Sequence, residues 1–332
     1  MKAMVLDRFG GPEVFRLAEI ERPEATPGNV IVQIAYASVN PADWKAREGW
    51  LARYFDYQFP FVVGFDAAGI VAEVGEGVTH VKVGDRVVTP GNQGMGERGS
   101  YAEFVRAAGE RVAPLPDSIS LRDAATLPTA GMTAWQATLD PAPLGPGSVV
   151  VVNGGAGGTG SFAIQLAKMA GAKVATTCSP HNFDYVRSLG ADLAVNYREG
   201  DVFAALKEWA PEGFDLAVDT VGQGTFVGVL PVMKHGGIVT PIGTLIANEA
   251  TIDPQAAAAA GVTVIPTVSA FPEQPRQLRG LVAALAAGKI RVPAITELPL
   301  SEAGEAQRRV QEGHVRGKIV LAVNPALERK DA

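Results

Sequence analysis

The sequence predicts an α/β protein with two domains, one β-rich and one built on a doubly wound parallel sheet. The chain has 332 residues, more than one ordinary hydrophobic core holds, so two domains are expected. The first 120 residues contain β-branched segments separated by Gly, Pro and Asn, which is typical of strands and turns. From about residue 121, short apolar strands alternate with helical segments, which indicates βαβ units on a sheet covered on both faces.

The strands of the amino-terminal part are predicted at NVIVQIAYASV (29–39), GIVAEV (69–74) and DRVVTP (85–90). Farther along, apolar strands are predicted at SVVVVN (148–153), KVATTC (173–178), FDLAVDTVG (214–222) and GGIVTPIG (236–243). The segment GTGSFAIQLAKMAGA (158–172) has helical apolar spacing and follows the first of these strands directly. This alternation places the parallel sheet in the middle of the chain.

Charge and cysteine content restrict the partners and the location of the protein. Lys and Arg number 29 against 35 Asp and Glu, and a net charge of −6 argues against nucleic acid or an anionic membrane as a partner. The single cysteine, Cys178, excludes an internal disulfide and suits a reducing compartment. Residues 141–167 carry no charge, but three prolines and seven glycines there would disrupt a lipid-facing helix. We expect a soluble, cytoplasmic protein.

The segment VVVVNGGAGGTGSFAIQLAK carries the strongest functional signal. Gly155, Gly157 and Gly160 match G-x-G-x-x-G between an apolar strand and a helix, the context that a dinucleotide-binding Rossmann motif requires. The first glycine permits a tight turn, the second lets the backbone approach a pyrophosphate, and the third allows close helix–strand packing. Gly158 and Thr159 lie in the same turn, where the helix amino end offers N–H groups to phosphates. A tight turn without a ligand is the alternative, and the context favours a dinucleotide.

The strand end VATTCSPHN bears on which dinucleotide binds. NAD sites carry Asp or Glu about 20 residues past the first glycine, where it holds the ribose hydroxyls. Thr177 lies at that spacing from Gly155, and no acid follows before Asp184. A missing carboxylate removes the repulsion that rejects a 2′-phosphate, so NADPH is the expected cofactor, although no arginine stands at the strand end. Neutral or weakly basic donors to that phosphate are Ser179, His181, Asn182 and Tyr197.

Four segments together resemble the medium-chain dehydrogenase/reductase superfamily: GFDAAGIVAEVGEGVTHVKVGDRV, LPTAGMTAWQA, GGAGGTGSFAIQLAK and GHVRGKIVL. The resemblance runs from end to end in the family's order. It implies a GroES-like catalytic domain formed by residues 1–120 and 267–332, a Rossmann cofactor domain formed by residues 121–266, and a substrate between them. The zinc-free quinone oxidoreductase branch is the most similar, and CSPHNFDYVRSLGAD also resembles trans-acting enoyl reductases of fungal polyketide synthesis.

Asp66 stands in the otherwise apolar segment VVGFDAAGIVAEV, where a buried charge needs a partner or a metal. The resemblance implies that zinc-dependent relatives carry His and Glu where this chain has Phe65 and Asp66. Their catalytic cysteine is expected near Ala37, Ser38 and Asn40, and their four-cysteine zinc lobe is missing here. Zinc needs three or four converging Cys, His or carboxylate ligands. We therefore expect no metal, and we expect Asp66 to accept hydrogen bonds.

The resemblance also implies that NPADWKAREGW (40–50) is the active-site segment. Asn40 is expected to hydrogen-bond a substrate carbonyl, or alternatively to satisfy buried backbone groups, and Asp43 is expected to order the turn. Related enoyl reductases carry a tyrosine proton donor where this chain has Trp50. Tyr54 is the nearest substitute, with solvent as another source of the proton. Tyr54 also belongs to the aromatic segment WLARYFDYQFPF, which predicts the wall of an apolar substrate pocket.

The remaining candidate positions lie near the predicted cofactor. Thr133 in AGMTAW resembles a position that lines the cofactor cleft, and Gly222 and Gly243 lie at strand ends, where open parallel sheets bind ligands. Arg316 in VRGKIV is a candidate contact of the adenosine phosphate, or simply a surface residue. The apolar segment VTVIPTV (262–268) predicts an edge strand that pairs with its copy in a homodimer, because pairing covers an exposed edge.

Without a Lewis acid, polarising an alcohol for hydride abstraction is difficult, whereas an electrophilic acceptor needs mainly binding and orientation. The expected function is therefore an NADPH-dependent oxidoreductase that reduces a small apolar quinone or a carbonyl-conjugated double bond. Two alternatives remain at this point. One is an enoyl-thioester reductase of fatty-acid or polyketide synthesis, and the other is an NADPH-binding protein without turnover.

Overall fold

The computed structural model describes residues 1–91, 97–243, 249–267 and 273–328. The chain divides into two compact units. One is formed by Met1–Thr129 and Pro272–Ala332 and is called the terminal unit. The other is formed by Ala130–Phe271 and is called the central unit. Within the described residues, no helix is long and apolar enough to cross a membrane.

The terminal unit is β-rich, as predicted. Its small antiparallel sheet consists of β1 (Lys2–Leu6) and β2 (Phe15–Glu19). Its large sheet consists of β3 (Asn29–Val39), β4 (Asp66–Val74), β5 (Arg86–Pro90), β6 (Phe104–Ala108), β7 (Ala113–Pro114), β14 (Ile295–Pro299) and β15 (Lys318–Ala322). These strands have the order β14-β15-β3-β4-β5-β7, with β6 paired to β3. The helices of this unit are α1 (Pro41–Arg47), α2 (Leu121–Ala124), α8 (Gln274–Ala286) and α9 (Ala303–Glu312).

Strand β3 forms the centre of the terminal unit because its β-branched residues are buried on both faces, with Val30, Ile31, Val32 and Ile34 fully inaccessible. Strands β4, β6 and β15 all pair with it. Asn40 follows β3 with extended backbone angles and is the N-cap of α1, which Pro41 begins. Proline suits this first helical position because its missing N–H would have no helical acceptor there.

The central unit contains a parallel six-stranded sheet among its described residues. The strands are β8 (Val149–Asn153), β9 (Lys173–Cys178), β10 (Leu193–Asn196), β11 (Phe214–Asp219), β12 (Met233–Pro241) and β13 (Thr263–Val264). Their order in the sheet is β10-β9-β8-β11-β12-β13. The helices are α3 (Met132–Thr138), α4 (Gly158–Met169), α5 (Phe183–Ser188), α6 (Val202–Trp209) and α7 (Pro254–Ala259). The predicted alternation of strand and helix is therefore present, and it begins with β8, four valines followed by Asn153.

The boundaries between the units differ from the predicted positions, 120/121 and 266/267. Residues after 120 stay with the terminal unit because α2 packs on β3, β4 and β5 and because Thr129 bonds to Asp66. Thr267 stays with the central unit because it pairs with Ile242 beside the parallel sheet. The predicted edge strand at 262–268 is reduced to β13, which does lie at the edge of the sheet. Residue 268 lies outside the described residues.

Candidate functional site

The glycine-rich loop that connects β8 to α4 is shaped for close backbone packing. A Cβ on Gly155 would lie 2.0 Å from the Thr176 hydroxyl, and a Cβ on Gly160 would lie 2.3 Å from the Gly154 carbonyl. Glycine is therefore required at both positions. By contrast, among the described residues a Cβ on Gly157 would meet only the Gly154 carbonyl, at 3.6 Å. The loop is thus tight against the sheet and open at Gly157, where a pyrophosphate would approach.

The sharp turn in this loop falls at Gly154 rather than at Gly155, which corrects the predicted role of the first glycine in the motif. Gly154 has φ +80°, in the left-handed region that glycine adopts without steric cost. Helix α4 begins at Gly158, and Thr159 lies half-buried in its first turn. Among the described residues, no side chain caps this end. Its N–H groups and helix dipole fit the phosphates of a dinucleotide.

Thr177 does not face a ribose, because its hydroxyl is used inside the fold. The hydroxyl donates to Asn153 Oδ1 over 2.6 Å and accepts from Gly154 N–H over 3.0 Å, and the residue is only 2% exposed. The position predicted to choose between NAD and NADP therefore supports the glycine-rich loop.

The candidate phosphate donors follow two neighbouring strand ends. Ser179 follows β9, and its hydroxyl lies 3.4 Å from His181 Nε2. Asn182, buried like Ser179, places Nδ2 3.2 Å from that same histidine nitrogen. Strand β10 pairs with β9 in parallel, with Asn196 opposite Cys178, so Tyr197 emerges at the same edge of the sheet. The structure thus brings all four predicted donors to the carboxyl end of the sheet, beside β9 and β10.

Arg198 also lies at this carboxyl end of the sheet, and the sequence analysis did not identify it. Its Nε lies 3.3 Å from the hydroxyl of Tyr197, and its guanidinium lies 5.6 Å from the centre of that ring. Both side chains are exposed. The sequence concealed this cation because it follows β10 rather than β9, and only the sheet order makes those two strand ends neighbours.

Three of the other predicted cofactor positions lie in the central unit and one in the terminal unit. Thr133 is half-buried in α3, and Gly243 follows β12 with its N–H bonded to Thr267. Gly222 has φ +69° and donates its N–H to Asp219, which ends β11. Arg316 belongs to the terminal unit, where it lines a surface cavity of about 290 Å³.

Asp66, in the terminal unit, accepts four hydrogen bonds. Oδ2 accepts from the Ser38 hydroxyl at 2.7 Å and from Asn40 Nδ2 at 2.8 Å. Oδ1 accepts from the Thr129 N–H at 3.0 Å and from the Thr129 hydroxyl at 2.6 Å. The carboxylate is fully buried, and these donors satisfy it without a metal. The expectation that Asp66 accepts backbone and side-chain hydrogen bonds is confirmed.

Asn40 is only 1% exposed, and both ends of its amide have protein partners. Nδ2 donates to Asp66, and Oδ1 accepts from the ammonium of Lys318, which also donates to the Val39 carbonyl at 2.9 Å. This arrangement corrects the predicted contact between Asn40 and a substrate carbonyl, because the amide is directed into the protein. Lys318 was missed because only the pairing of β15 with β3 brings it to Asn40.

Asp43 orders the start of α1, as the resemblance implied. One oxygen accepts from the Asn40 N–H at 2.7 Å and from the Tyr101 hydroxyl at 3.2 Å, and the other accepts from the Phe65 N–H at 3.1 Å. Asp43 is fully buried. Burial, together with the nearby Asp66 carboxylate, raises the pKa of Asp43 to about 7.

The aromatic segment after α1 presents rings to solvent. Tyr54 is 58% exposed, and the Arg53 guanidinium lies 4.8 Å from the centre of its ring. Trp50 meets Trp44 edge-to-face at 5.0 Å and is 37% exposed. Among the residues predicted to be catalytic, Tyr54 therefore has an accessible side chain, whereas Asn40 and Asp43 are internal.

The side chains around Asp66 do not fit a zinc ion. Phe65 supplies no ligand. The Ser38 hydroxyl and Asn40 Nδ2 donate to the carboxylate, and Asn40 Oδ1 accepts from Lys318. The ammonium of Lys318 lies in the same cluster and would repel a cation. In the part of the chain that the structure describes, no group of three or more His, Cys, Asp or Glu side chains is arranged to hold a metal.

Comparison with known proteins agrees with this architecture. Residues 26–117 match the family model described as an alcohol dehydrogenase GroES-like domain, and residues 189–321 match the one described as a zinc-binding dehydrogenase. The chain is 32% identical to a chloroplast envelope quinone oxidoreductase homolog from Arabidopsis thaliana, over 97% of this chain and 98% of that protein. It is 37% identical to a 2-methylene-furan-3-one reductase from Solanum lycopersicum, over 72% of this chain and 61% of that protein.

Solved structures show the same likeness. The crystal structure of Escherichia coli quinone oxidoreductase complexed with NADPH superposes with a TM-score of 0.86 at 25% identity, covering 97% of this chain and 100% of that one. A GroES-like domain and a Rossmann domain with a glycine-rich loop together define an oxidoreductase that uses a nicotinamide dinucleotide. The chain belongs to the medium-chain dehydrogenase/reductase superfamily, in its quinone oxidoreductase-like branch. The predicted fold class and family are confirmed.

Proposed function

We propose that the protein is a zinc-independent reductase that transfers hydride from NADPH to a small apolar quinone or to a carbonyl-conjugated double bond. The observation that carries the proposal is the hydrogen bonding of Asp66. Four protein donors occupy this carboxylate, and an ammonium lies beside it. A site of this kind provides no Lewis acid to polarise an alcohol, so the acceptor must itself be electrophilic.

The two proposed substrate classes are based on the names of two relatives. The Arabidopsis thaliana relative is described as a quinone oxidoreductase homolog, and the Solanum lycopersicum relative is named a 2-methylene-furan-3-one reductase. A quinone and such an enone share a carbon made electrophilic by a conjugated carbonyl. The bound nicotinamide would supply the hydride. The exposed aromatic rings of Trp50 and Tyr54 suit an apolar acceptor of this type.

The chain's own residues would bind the dinucleotide, keep the active-site segment in position and supply a proton to the acceptor. Gly157 and the amino end of α4 would hold the pyrophosphate. The buried cluster of Asp66, Asn40 and Lys318 would fix the start of α1 and the loop that follows it. The proton that completes the reduction would come from Tyr54 or from water.

A preference for NADPH is supported by the polar side chains that follow β9 and β10 at the carboxyl end of the sheet. Ser179 and Tyr197 offer hydroxyl groups there, and Arg198 offers a guanidinium. Arginine suits a phosphate because its planar fork donates two parallel hydrogen bonds. Among residues 173–183, which contain β9 and the turn after it, no carboxylate opposes a 2′-phosphate.

Dinucleotide oxidation by purified protein tests this function. NADPH and NADH should each be offered with a simple quinone, a small enal and an enoyl thioester. We expect turnover with the quinone or the enal and a higher kcat/KM with NADPH. Much higher kcat/KM with the thioester would instead support the enoyl-reductase alternative, and no oxidation with any acceptor would support a binding protein. The homodimer and the cytoplasmic location remain predictions, the former open to light scattering.

A further inference from the structure

Three adjacent parallel strands of the central unit end in polar residues that bond to one another. Asn153 ends β8, Asp219 ends β11 directly opposite it, and Thr177 lies next to the end of β9. The Thr177 hydroxyl donates to Asn153 Oδ1 at 2.6 Å, and Asn153 Nδ2 donates to Asp219 Oδ1 at 2.8 Å. All three residues are less than 8% exposed. We call this set the strand-end chain.

The surrounding groups fix the orientation of the Asn153 amide. The Thr177 hydroxyl already accepts a hydrogen bond from Gly154 N–H, so its own hydrogen must go to an acceptor, Asn153 Oδ1. On the other side, the Asp219 carboxylate only accepts and therefore faces Nδ2. Nδ2 also donates to the Thr225 hydroxyl at 3.1 Å. Every polar group of the Asn153 side chain therefore has a partner, and a flipped amide would break the bonds to both neighbouring strands.

Each end of the strand-end chain bonds to the backbone of a loop. At one end, Thr177 accepts from the N–H of Gly154, where the glycine-rich loop turns. At the other end, Asp219 Oδ1 accepts from the N–H groups of Val221 and Gly222, each at 3.1 Å. Both loops leave the carboxyl edge of the sheet, where open parallel sheets bind their ligands. One buried amide thus joins the two loops.

We propose that Asn153 is a positioning residue of the dinucleotide site, which holds the glycine-rich loop and the turn at 219–222 in a fixed relation to each other. The rest of β8 is four consecutive valines, so the core alone would accept another apolar residue at this position. An amide is needed because hydroxyl and carboxylate neighbours on opposite sides require an acceptor and a donor from the same side chain. This inference rests on the proposed binding of a dinucleotide.

The test substitutes Asn153→Leu, which keeps the branched shape and the number of side-chain heavy atoms and removes all three side-chain hydrogen bonds. We expect the Kd for NADPH to rise at least about tenfold, because binding must then order two loops that the amide no longer joins. In the free protein, we also expect faster amide hydrogen exchange at Val221 and Gly222. Thr240→Val is the matched control, because it removes the buried bonds of the Thr240 hydroxyl to the Ala137 and Ala217 carbonyls, neither of which belongs to the glycine-rich loop or to the turn at 219–222. It should lower Tm but leave the Kd within twofold of wild type.

Thr177→Val and Thr177→Ser provide the same comparison if the leucine variant does not fold. Serine keeps the hydroxyl and should retain the wild-type Kd, whereas valine should raise it. A folded Asn153→Leu protein with a Kd within twofold of wild type and unchanged exchange at Val221 and Gly222 overturns the positioning role. So does equal binding by the two Thr177 variants. Wild-type protein that binds neither NADPH nor NADH overturns the proposed function instead, and hydrogen exchange still reports on the loops.

Discussion

Lys318 in β15 donates a hydrogen bond to the side chain of Asn40, at the point where β3 ends and α1 begins. Lys318 is 4% exposed, and the carboxylates of Asp43 and Asp66 share its buried surroundings. Burial lowers the pKa of Lys318, and the two carboxylates oppose that shift. The start of α1 is therefore held by an internal charge cluster in which each member needs the others.

Replacing Lys318 with methionine should strongly destabilise the protein. Removing one partner of a buried charge cluster typically costs about 3–5 kcal/mol, because the remaining charges stay buried without compensation. Urea unfolding of Lys318→Met measures this loss. Lys234→Met is the matched control, since Lys234 pairs with Asp215 at 2.8 Å on the partly exposed surface. It should cost less than about 1 kcal/mol, and equal losses in the two variants would refute the role of the cluster.

Asp43 should make stability depend on pH. Its folded-state pKa is about 7, and an unfolded aspartate titrates near pH 4. Between these values the folded protein binds the proton more tightly, so the free energy of unfolding should fall as pH rises from about 4 to 7 and then level off. Asp43→Asn should remove this component. Unfolding of both proteins across this range measures it, and parallel pH profiles would contradict the assignment.

Metal removal should leave activity unchanged. Four protein donors satisfy Asp66, and Phe65 offers no ligand. The side chains of this site therefore do not form the set of three or four ligands that zinc needs. Dialysis against a strong chelator, followed by elemental analysis and assay, provides the test. Stoichiometric zinc whose removal abolishes kcat/KM would show that the proposed zinc independence is mistaken.

Arg198→Ala should weaken NADPH more than NADH. A hydrogen bond to a charged group contributes roughly 1.5–3 kcal/mol, or about a ten- to hundredfold change in Kd, and NADH lacks the 2′-phosphate. Arg187→Ala serves as a control, because Arg187 lies on the exposed side of nearby α5 beside Phe183. Kd values for NADPH and NADH, measured by calorimetry with both variants, test this prediction. If Arg198→Ala weakens both equally, Arg198 does not contact that phosphate.

The sequence predicted what depends on local pattern. The glycine spacing and the apolar run before it were sufficient to place the dinucleotide loop, since turn, strand and helix signals all lie within 20 residues. The contact of Asn40 with Lys318 could not be predicted, because 278 residues separate them and only the pairing of β15 with β3 joins them. Arg198 was missed for a similar reason, since the order β10-β9-β8 is a property of the sheet.

Thr177→Asp distinguishes the role that the sequence predicts for residue 177, contact with the ribose, from the role that the structure shows, support of the glycine-rich loop. If residue 177 faced the ribose, an aspartate would repel the 2′-phosphate and shift preference toward NADH. In the structure, the side chain lies instead between Gly154 and Asn153. A carboxylate there still accepts from Gly154 but cannot donate to Asn153 Oδ1, and it brings a second buried negative charge near Asp219.

We therefore expect Thr177→Asp to lose about 1–3 kcal/mol of stability, the usual cost of an unsatisfied buried polar group. Affinity for NADPH and NADH should fall together, because the glycine-rich loop serves both. Thermal unfolding and kcat/KM with each nucleotide measure the two effects, and Thr177→Ser, which keeps the hydroxyl, should match wild type in both. A Thr177→Asp protein with normal Tm and a preference for NADH would mean that this side chain reaches the ribose after all.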